Sequence, residues 1–122
     1  MIANANRLEQ MQRKALKWLV DALQAIRAID TFTSGQSLAT FRDNELVQAG
    51  VERKFEVMAA ALMAAHAADP AVVELVPELP RITSTRNRII HDYDSVDHAI
   101  LWDAILNELP SLKARLESRL EP

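Results

Sequence analysis

A short segment in the second half of the chain carries the side chains best suited to chemistry. Residues 79–91 contain three arginines and no acid, although the whole protein has 17 Asp and Glu against 14 Lys and Arg. Acidic residues return at once with Asp92, Asp94 and Asp97. Because the formal net charge is -3, nucleic-acid binding would depend on this local cationic patch and not on a basic surface overall.

A helical projection separates the polar residues of this segment into two groups. At about 100° per residue, Arg86 lies about 40° from Ile82 on the apolar side, whereas Asn87 and His91 lie one turn apart on the other side. Three isoleucines define the apolar side: Ile82, Ile89 and Ile90. Arg86 is therefore either a surface residue that extends its guanidinium to water or the cation of an anion-binding cleft.

Arginine and histidine together can cleave RNA without a metal ion. A guanidinium stays charged and stabilises the negative charge that develops on a phosphate. An imidazole can donate or accept a proton near neutral pH, and RNA supplies its own attacking 2′-hydroxyl. A histidine at this position could equally cap the C-terminus of its helix, so the spacing leaves both interpretations open.

The composition excludes several other kinds of site. The chain has no cysteine, which rules out disulfides, thiolate catalysis and cysteine-ligated metals. The three histidines have no metal-ligand spacing, and Asp92-x-Asp94 lacks the glycine and the next ligand of a calcium loop. Gly35 and Gly50 are isolated and form no phosphate-binding loop. We expect no metal and no cofactor.

The tryptophans and the other histidines have plain structural interpretations. Trp18 and Trp102 lie on apolar stripes, which favours the core or a dimer interface over stacking on bases. His66 follows an alanine-rich run and is expected to be either partly buried or at a helix end. His98 is expected on the surface, in the first turn of a later helix.

Two long amphipathic helices must position the cationic segment. Apolar residues recur at the helical period over residues 8–29 and again over residues 47–65. Thr33-Ser34-Gly35 should stop the first helix, Asp43 or Asn44 should cap the second, and Asp69-Pro70 should end it. Gly50, inside the second helix, indicates a close approach of a neighbour.

The remaining pattern is also helical. Short helices are expected near residues 37–41 and 71–76, and Pro80 should start a third long helix. Ser95 is expected to cap a fourth helix from Val96, which Pro110 kinks or restarts. The fold prediction is one domain over residues 1–122, an all-α up-and-down bundle of four to five helices. The longest apolar run has nine residues, too short to span a membrane.

The cationic segment resembles a known motif. The sequence from Arg86 through His91 to Tyr93 is similar to the R-x4-H-x-Y form that HepT-like toxins of the HEPN superfamily carry. Arg53 and Glu56 match the Arg-x-x-Glu of the family's second helix. The resemblance continues downstream through Val96-Asp97, Leu101-Trp102-Asp103 and Leu109-Pro110-Ser111-Leu112.

The resemblance implies a specific activity and partner. Such proteins are cytoplasmic helical bundles that form homodimers and act as metal-independent endoribonuclease toxins. Arg86, His91 and Asn87 would be the catalytic residues, with Arg88 and Arg53 as further contacts to RNA. A minimal nucleotidyltransferase antitoxin would transfer AMP to Tyr93, and the added charge would repel RNA.

Two alternatives to these roles remain open. Arg53 and Glu56 could simply form an ion pair at i, i+3 on the helix surface, and Tyr93 could simply pack at a helix end. The family often has Gly-Glu-Ala where this chain has Ala59-Ala60-Ala61. Because Ala60 replaces that acid, a second function stays open: the protein could be an inactive helical partner or substrate-binding subunit of a nucleotidyltransferase.

Overall fold

Seven helices follow one another along the part of the chain that the computed structural model describes, which comprises residues 11–92, 94 and 96–121. They are α1 (Arg13–Thr33), α2 (Leu38–Arg42), α3 (Glu45–Ala68), α4 (Val72–Leu75), α5 (Leu79–His91), α6 (His98–Asn107) and α7 (Leu109–Leu120). No strand occurs among these residues, so the prediction of an all-α fold is confirmed. None of these helices combines the length and the apolar character that a membrane crossing requires.

The predicted four to five helices correspond to the five long ones. The two remaining helices, α2 and α4, have five and four residues and lie where short helices were expected. Pro110 sits in the first turn of α7, which begins at Leu109, so the chain restarts a helix here and does not merely kink one. A proline fits the first turn because its missing N–H has no intrahelical partner there.

The two longest helices, α1 and α3, pack against each other in antiparallel register. At one end the ring of Phe32 lies against Gly50, where a Cβ would come within 3.2 Å of the ring carbons. At the other end the backbone N–H of Gln12 donates to the Asp69 carboxylate at 3.0 Å. The close approach predicted at Gly50 is therefore confirmed, and the neighbour that fills the space is an aromatic ring.

Helix starts follow the capping chemistry, with one correction. Ser37 and Thr40 form a reciprocal capping box at α2, and Asn44 accepts the N–H of Val47 at α3. The start of α6 differs from the prediction, because this helix begins at His98 and not at Val96. Its cap is Asp97, whose Oδ1 accepts the N–H groups of Ala99 and Ile100. Ser95, the predicted cap, and the predicted start of the first helix at residue 8 lie outside the described residues.

Buried contacts fix the start of α5, the helix that carries the cationic segment. Leu79, Ile82 and Ile89 turn one face of α5 into the core. Just before α5, Arg115 of α7 forms an ion pair with Glu78 and donates Nε–H to the carbonyl of Leu75 at 3.0 Å. This double contact is partly buried, so it holds the α4–α5 connection more firmly than an exposed ion pair would.

Replacing Asn44 by alanine is expected to lower the free energy of unfolding by about 1 kcal/mol. The Asn44 side chain accepts the Val47 N–H at 3.1 Å, and alanine would leave that donor without its cap. Urea unfolding followed by circular dichroism measures the loss. Asn44→Ser keeps a capping oxygen and should recover most of it; equal losses in both variants would contradict a capping role.

Candidate functional site

Helix α5 presents its polar residues to solvent because its apolar residues face the core. The buried positions Ile82 and Ile89 confirm the predicted apolar side. Ile90, predicted on the same side, is instead 38 % exposed and lines an open groove. The polar residues of the cationic segment therefore lie on the exposed and half-buried faces of α5.

Arg86 lies in a groove of about 560 Å³ between α1, α3 and α5. Its side chain is half-buried, and Nη1 donates to the Oδ1 of Asn87 at 3.1 Å. Its Nε is buried and has no hydrogen-bond partner in the protein. A buried donor without an acceptor is unfavourable, so this N–H is an unsatisfied polar group in the wall of the groove.

His91 opens on a different depression of the same helix. Asn87, Arg88 and His91 share a shallow depression of about 460 Å³ with Thr83 and Ser84. Asn87 and His91, which are one helical turn apart, therefore share a face of α5, as predicted. Thr83 and Ser84 carry no sequence-based prediction, although their i+4 and i+3 spacing to Asn87 is the signal that places them there.

Within one chain, Arg86 and His91 point in different directions. Five residues at about 100° each put their side chains about 140° apart around α5. They line separate depressions, and neither is enclosed. Asn87 connects the two, because its side chain lines the His91 depression and accepts the hydrogen bond from Arg86.

The other predicted site residues fall around these two depressions. Arg53 is exposed and pairs with Glu56 at 3.6 Å, which confirms the surface ion pair, and both also line the Arg86 groove. Arg88 is exposed beside His91. Ala60 lines the same groove as Arg86, on the floor that α3 forms. Tyr93 lies outside the described residues.

The tryptophans and the histidines outside α5 follow the prediction only in part. Trp102 is buried and tilts against Phe41 with ring centroids 5.1 Å apart, which confirms a core position. Trp18 packs against the core on one side and lines the Arg86 groove on the other. His98 is half-buried: it meets Phe41 edge-on at 5.7 Å and also lines a surface depression, so the expectation of a surface histidine is met only in part. His66 is exposed in the last turn of α3, as predicted for a helix-end residue.

A third depression, of about 470 Å³, lies between α3 and the start of α6. Burial raises the pKa of Glu52 in its wall, His98 opposes that rise, and Glu56 adds to it. Among the residues the structure describes, no group of three or more His, Asp or Glu side chains is arranged to hold a metal ion. The burial of Glu52 in this wall is therefore an electrostatic cost of the fold.

Glu52→Gln is expected to raise the free energy of unfolding at pH 7 by less than about 1 kcal/mol. Because the folded-state pKa is raised, the native protein binds the proton more tightly than the unfolded chain does. The wild type is therefore penalised above that pKa, and the penalty disappears below the unfolded value near 4.5. Urea unfolding across this pH range measures the difference; a gain that is constant with pH would contradict this origin.

Comparison with known proteins points to one family. The model of the family described as "Ribonuclease HepT-like" matches residues 22–119. The chain is 29 % identical over 109 residues to "Probable ribonuclease HepT" of Thermococcus cleftensis, covering 88 % of this chain and 96 % of that protein. It is 26 % identical over 110 residues to "Putative RNase MJ1216" of Methanocaldococcus jannaschii, covering 88 % of each. No solved structure matches significantly. Since the family model spans the chain from α1 almost to the end of α7, the chain belongs to the HepT-like ribonuclease family.

Proposed function

We propose that this protein is a toxin endoribonuclease that cleaves RNA without a metal ion, with Arg86 and His91 as its catalytic pair and Asn87 beside them. One observation carries the proposal: Asn87 ties the Arg86 guanidinium to the exposed face of α5 on which His91 lies. A cation, an amide and an imidazole thus follow one another around the surface of a single helix. Membership of a ribonuclease family supports RNA as the substrate.

The chemistry follows from these groups. The 2′-hydroxyl oxygen attacks the adjacent phosphorus, the bond to the 5′-oxygen breaks, and a 2′,3′-cyclic phosphate forms. The 2′-hydroxyl loses its proton and the departing 5′-oxygen gains one; His91 performs one of these two transfers, as general base or general acid, and water performs the other. Arg86 stabilises the negative charge on the phosphate oxygens from the wall of the open groove. Arg88, exposed beside His91, and Arg53, at the far end of the groove, add attraction for the phosphate backbone.

The arrangement of Arg86 and His91 favours a symmetric homodimer. A phosphate held by Arg86 in one chain cannot readily meet a histidine about 140° away on the same helix. A two-fold axis beside α5 would bring the His91 face of one protomer toward the Arg86 groove of the other. Both depressions are open, so each is available to a second copy.

Regulation by a minimal nucleotidyltransferase antitoxin in the cytoplasm completes the proposal. The phenol oxygen of Tyr93 would attack the α-phosphorus of ATP, with release of pyrophosphate and of the phenol proton. Tyr93 follows His91 by two residues. An AMP group attached there would place negative charge next to the catalytic imidazole and repel RNA.

The decisive experiment is cleavage of single-stranded RNA by the purified protein in excess chelator. We expect products that end in a cyclic phosphate. Intact-mass measurement after co-expression with a minimal nucleotidyltransferase should show mass steps of one AMP, lost in Tyr93→Phe. A second function is favoured by Ala60, which leaves the floor of the Arg86 groove without the family's acid. AMP on Tyr93 with no RNA cleavage would select that function, an inactive partner of the nucleotidyltransferase.

A further inference from the structure

The Arg86 groove has a floor and two walls. Helix α3 forms the floor because both α1 and α5 pack on it. The antiparallel register set by Phe32 and Gly50 at one end, and by Gln12 and Asp69 at the other, puts Trp18 of α1 level with Ala64 of α3. The groove therefore has an aromatic wall at its alanine end.

The floor is unusually smooth at that end. Ala60, Ala61 and Ala64 contribute only methyl groups, so the indole of Trp18 borders a slot with an apolar base. The volume of about 560 Å³ is within the range of small-ligand sites. A flat ring system could stack on Trp18 over these methyl groups with little steric conflict.

Charges are separated across the groove. Arg86 lies on the α5 wall, Asp21 lies on the α1 wall next to Trp18, and none of the ion pairs found among the described residues joins them. Toward the other end of the floor lie Lys54 and the ion pair of Arg53 with Glu56. A phosphate would be attracted to the Arg86 side and repelled from Asp21, whereas a base could donate an amino or imino N–H to that carboxylate.

We propose that this groove is a nucleotide subsite: it holds the base of a nucleotide next to the cleaved bond, with the ring on Trp18 and the phosphate at Arg86. The inference rests on the proposed ribonuclease function and adds to it the position of the substrate strand. Single-stranded RNA fits this site because its bases are unpaired and free to stack on aromatic side chains. A duplex would keep its bases out of the slot.

The test uses a labelled single-stranded 2′-O-methyl oligonucleotide, which lacks the attacking hydroxyl and stays intact. Trp18→Ala should weaken its binding about tenfold or more by fluorescence anisotropy. Trp18→Phe should recover part of the affinity because a phenyl ring also stacks. Wild-type tryptophan fluorescence should be quenched on binding, and the quenching should be lost in Trp18→Phe, since Trp102 is buried against Phe41 away from the groove.

A matched pair on α3 separates filling of the groove from a general effect on the helix. Ala64→Leu would fill the slot beside Trp18 and should weaken binding, whereas Ala67→Leu, exposed on the same helix but outside the groove, should not. With cleavable RNA, Trp18→Ala should raise KM far more than it lowers kcat. Unchanged affinity in Trp18→Ala would overturn the subsite, as would a loss of affinity that is fully accounted for by a loss of dimerisation measured by sedimentation. Absence of RNA cleavage by the wild type is a different result, and it would overturn the ribonuclease function alone.

Discussion

RNA cleavage is expected to slow by roughly 10²- to 10⁴-fold when His91 is replaced by alanine. The imidazole is exposed at the C-terminal end of α5, in a depression that also contains the amide of Asn87 and the guanidinium of Arg88. It is the histidine of the chain that shares a helix with Arg86. Removing it takes away the proton-transfer group and leaves the Arg86 groove intact. Gel analysis of a labelled RNA in excess chelator measures the rate.

The chain offers a matched control for this variant. His66 is also exposed in the last turn of a helix, α3, but it lines neither the Arg86 groove nor the His91 depression. His66→Ala should therefore cleave at the wild-type rate. Because the side chains of His91 and His66 are both exposed, circular dichroism and urea unfolding should be unchanged in both variants. Equal rates for His91→Ala and the wild type would refute the catalytic assignment.

Mixing two inactive variants is expected to restore activity. If Arg86 of one protomer acts with His91 of its partner, a mixed dimer of Arg86→Ala and His91→Ala contains one intact pair and one doubly defective pair. After equal mixing and exchange, half of the dimers are mixed, so activity should return to about a quarter of the wild-type value. Each variant alone should be slower by roughly 10² or more.

The same mixture discriminates between the two arrangements of the pair. If Arg86 and His91 of one chain acted together, every chain in the mixture would lack one of them and activity would stay at the level of the single variants. A control mixture of His91→Ala with a double variant, Arg86→Ala and His91→Ala, contains no intact pair in either arrangement and should remain inactive. Sedimentation of the mixture verifies that the variants still dimerise.

Local sequence patterns were sufficient for the helices and for the two faces of α5. The helical period and the stop signals placed both long helices, and Asn44 capped the second as expected. The cap of α6 was predicted wrongly, because more than one residue before this helix could cap it. Asp97, not a residue before Val96, caps α6, because a carboxylate at that position can accept two backbone N–H groups at once.

The sequence by itself determined that the protein is helical, that the cationic segment lies on one helix, and that Arg86 and His91 leave that helix in different directions. These properties depend on the 3.6-residue period alone, which is local. Only the tertiary structure decided that Trp18 borders an open groove, that His98 packs on Phe41 and that Ile90 is exposed. A periodic stripe identifies the residues on one face of a helix. Whether a neighbouring helix covers that face depends on how α1, α3 and α5 pack together.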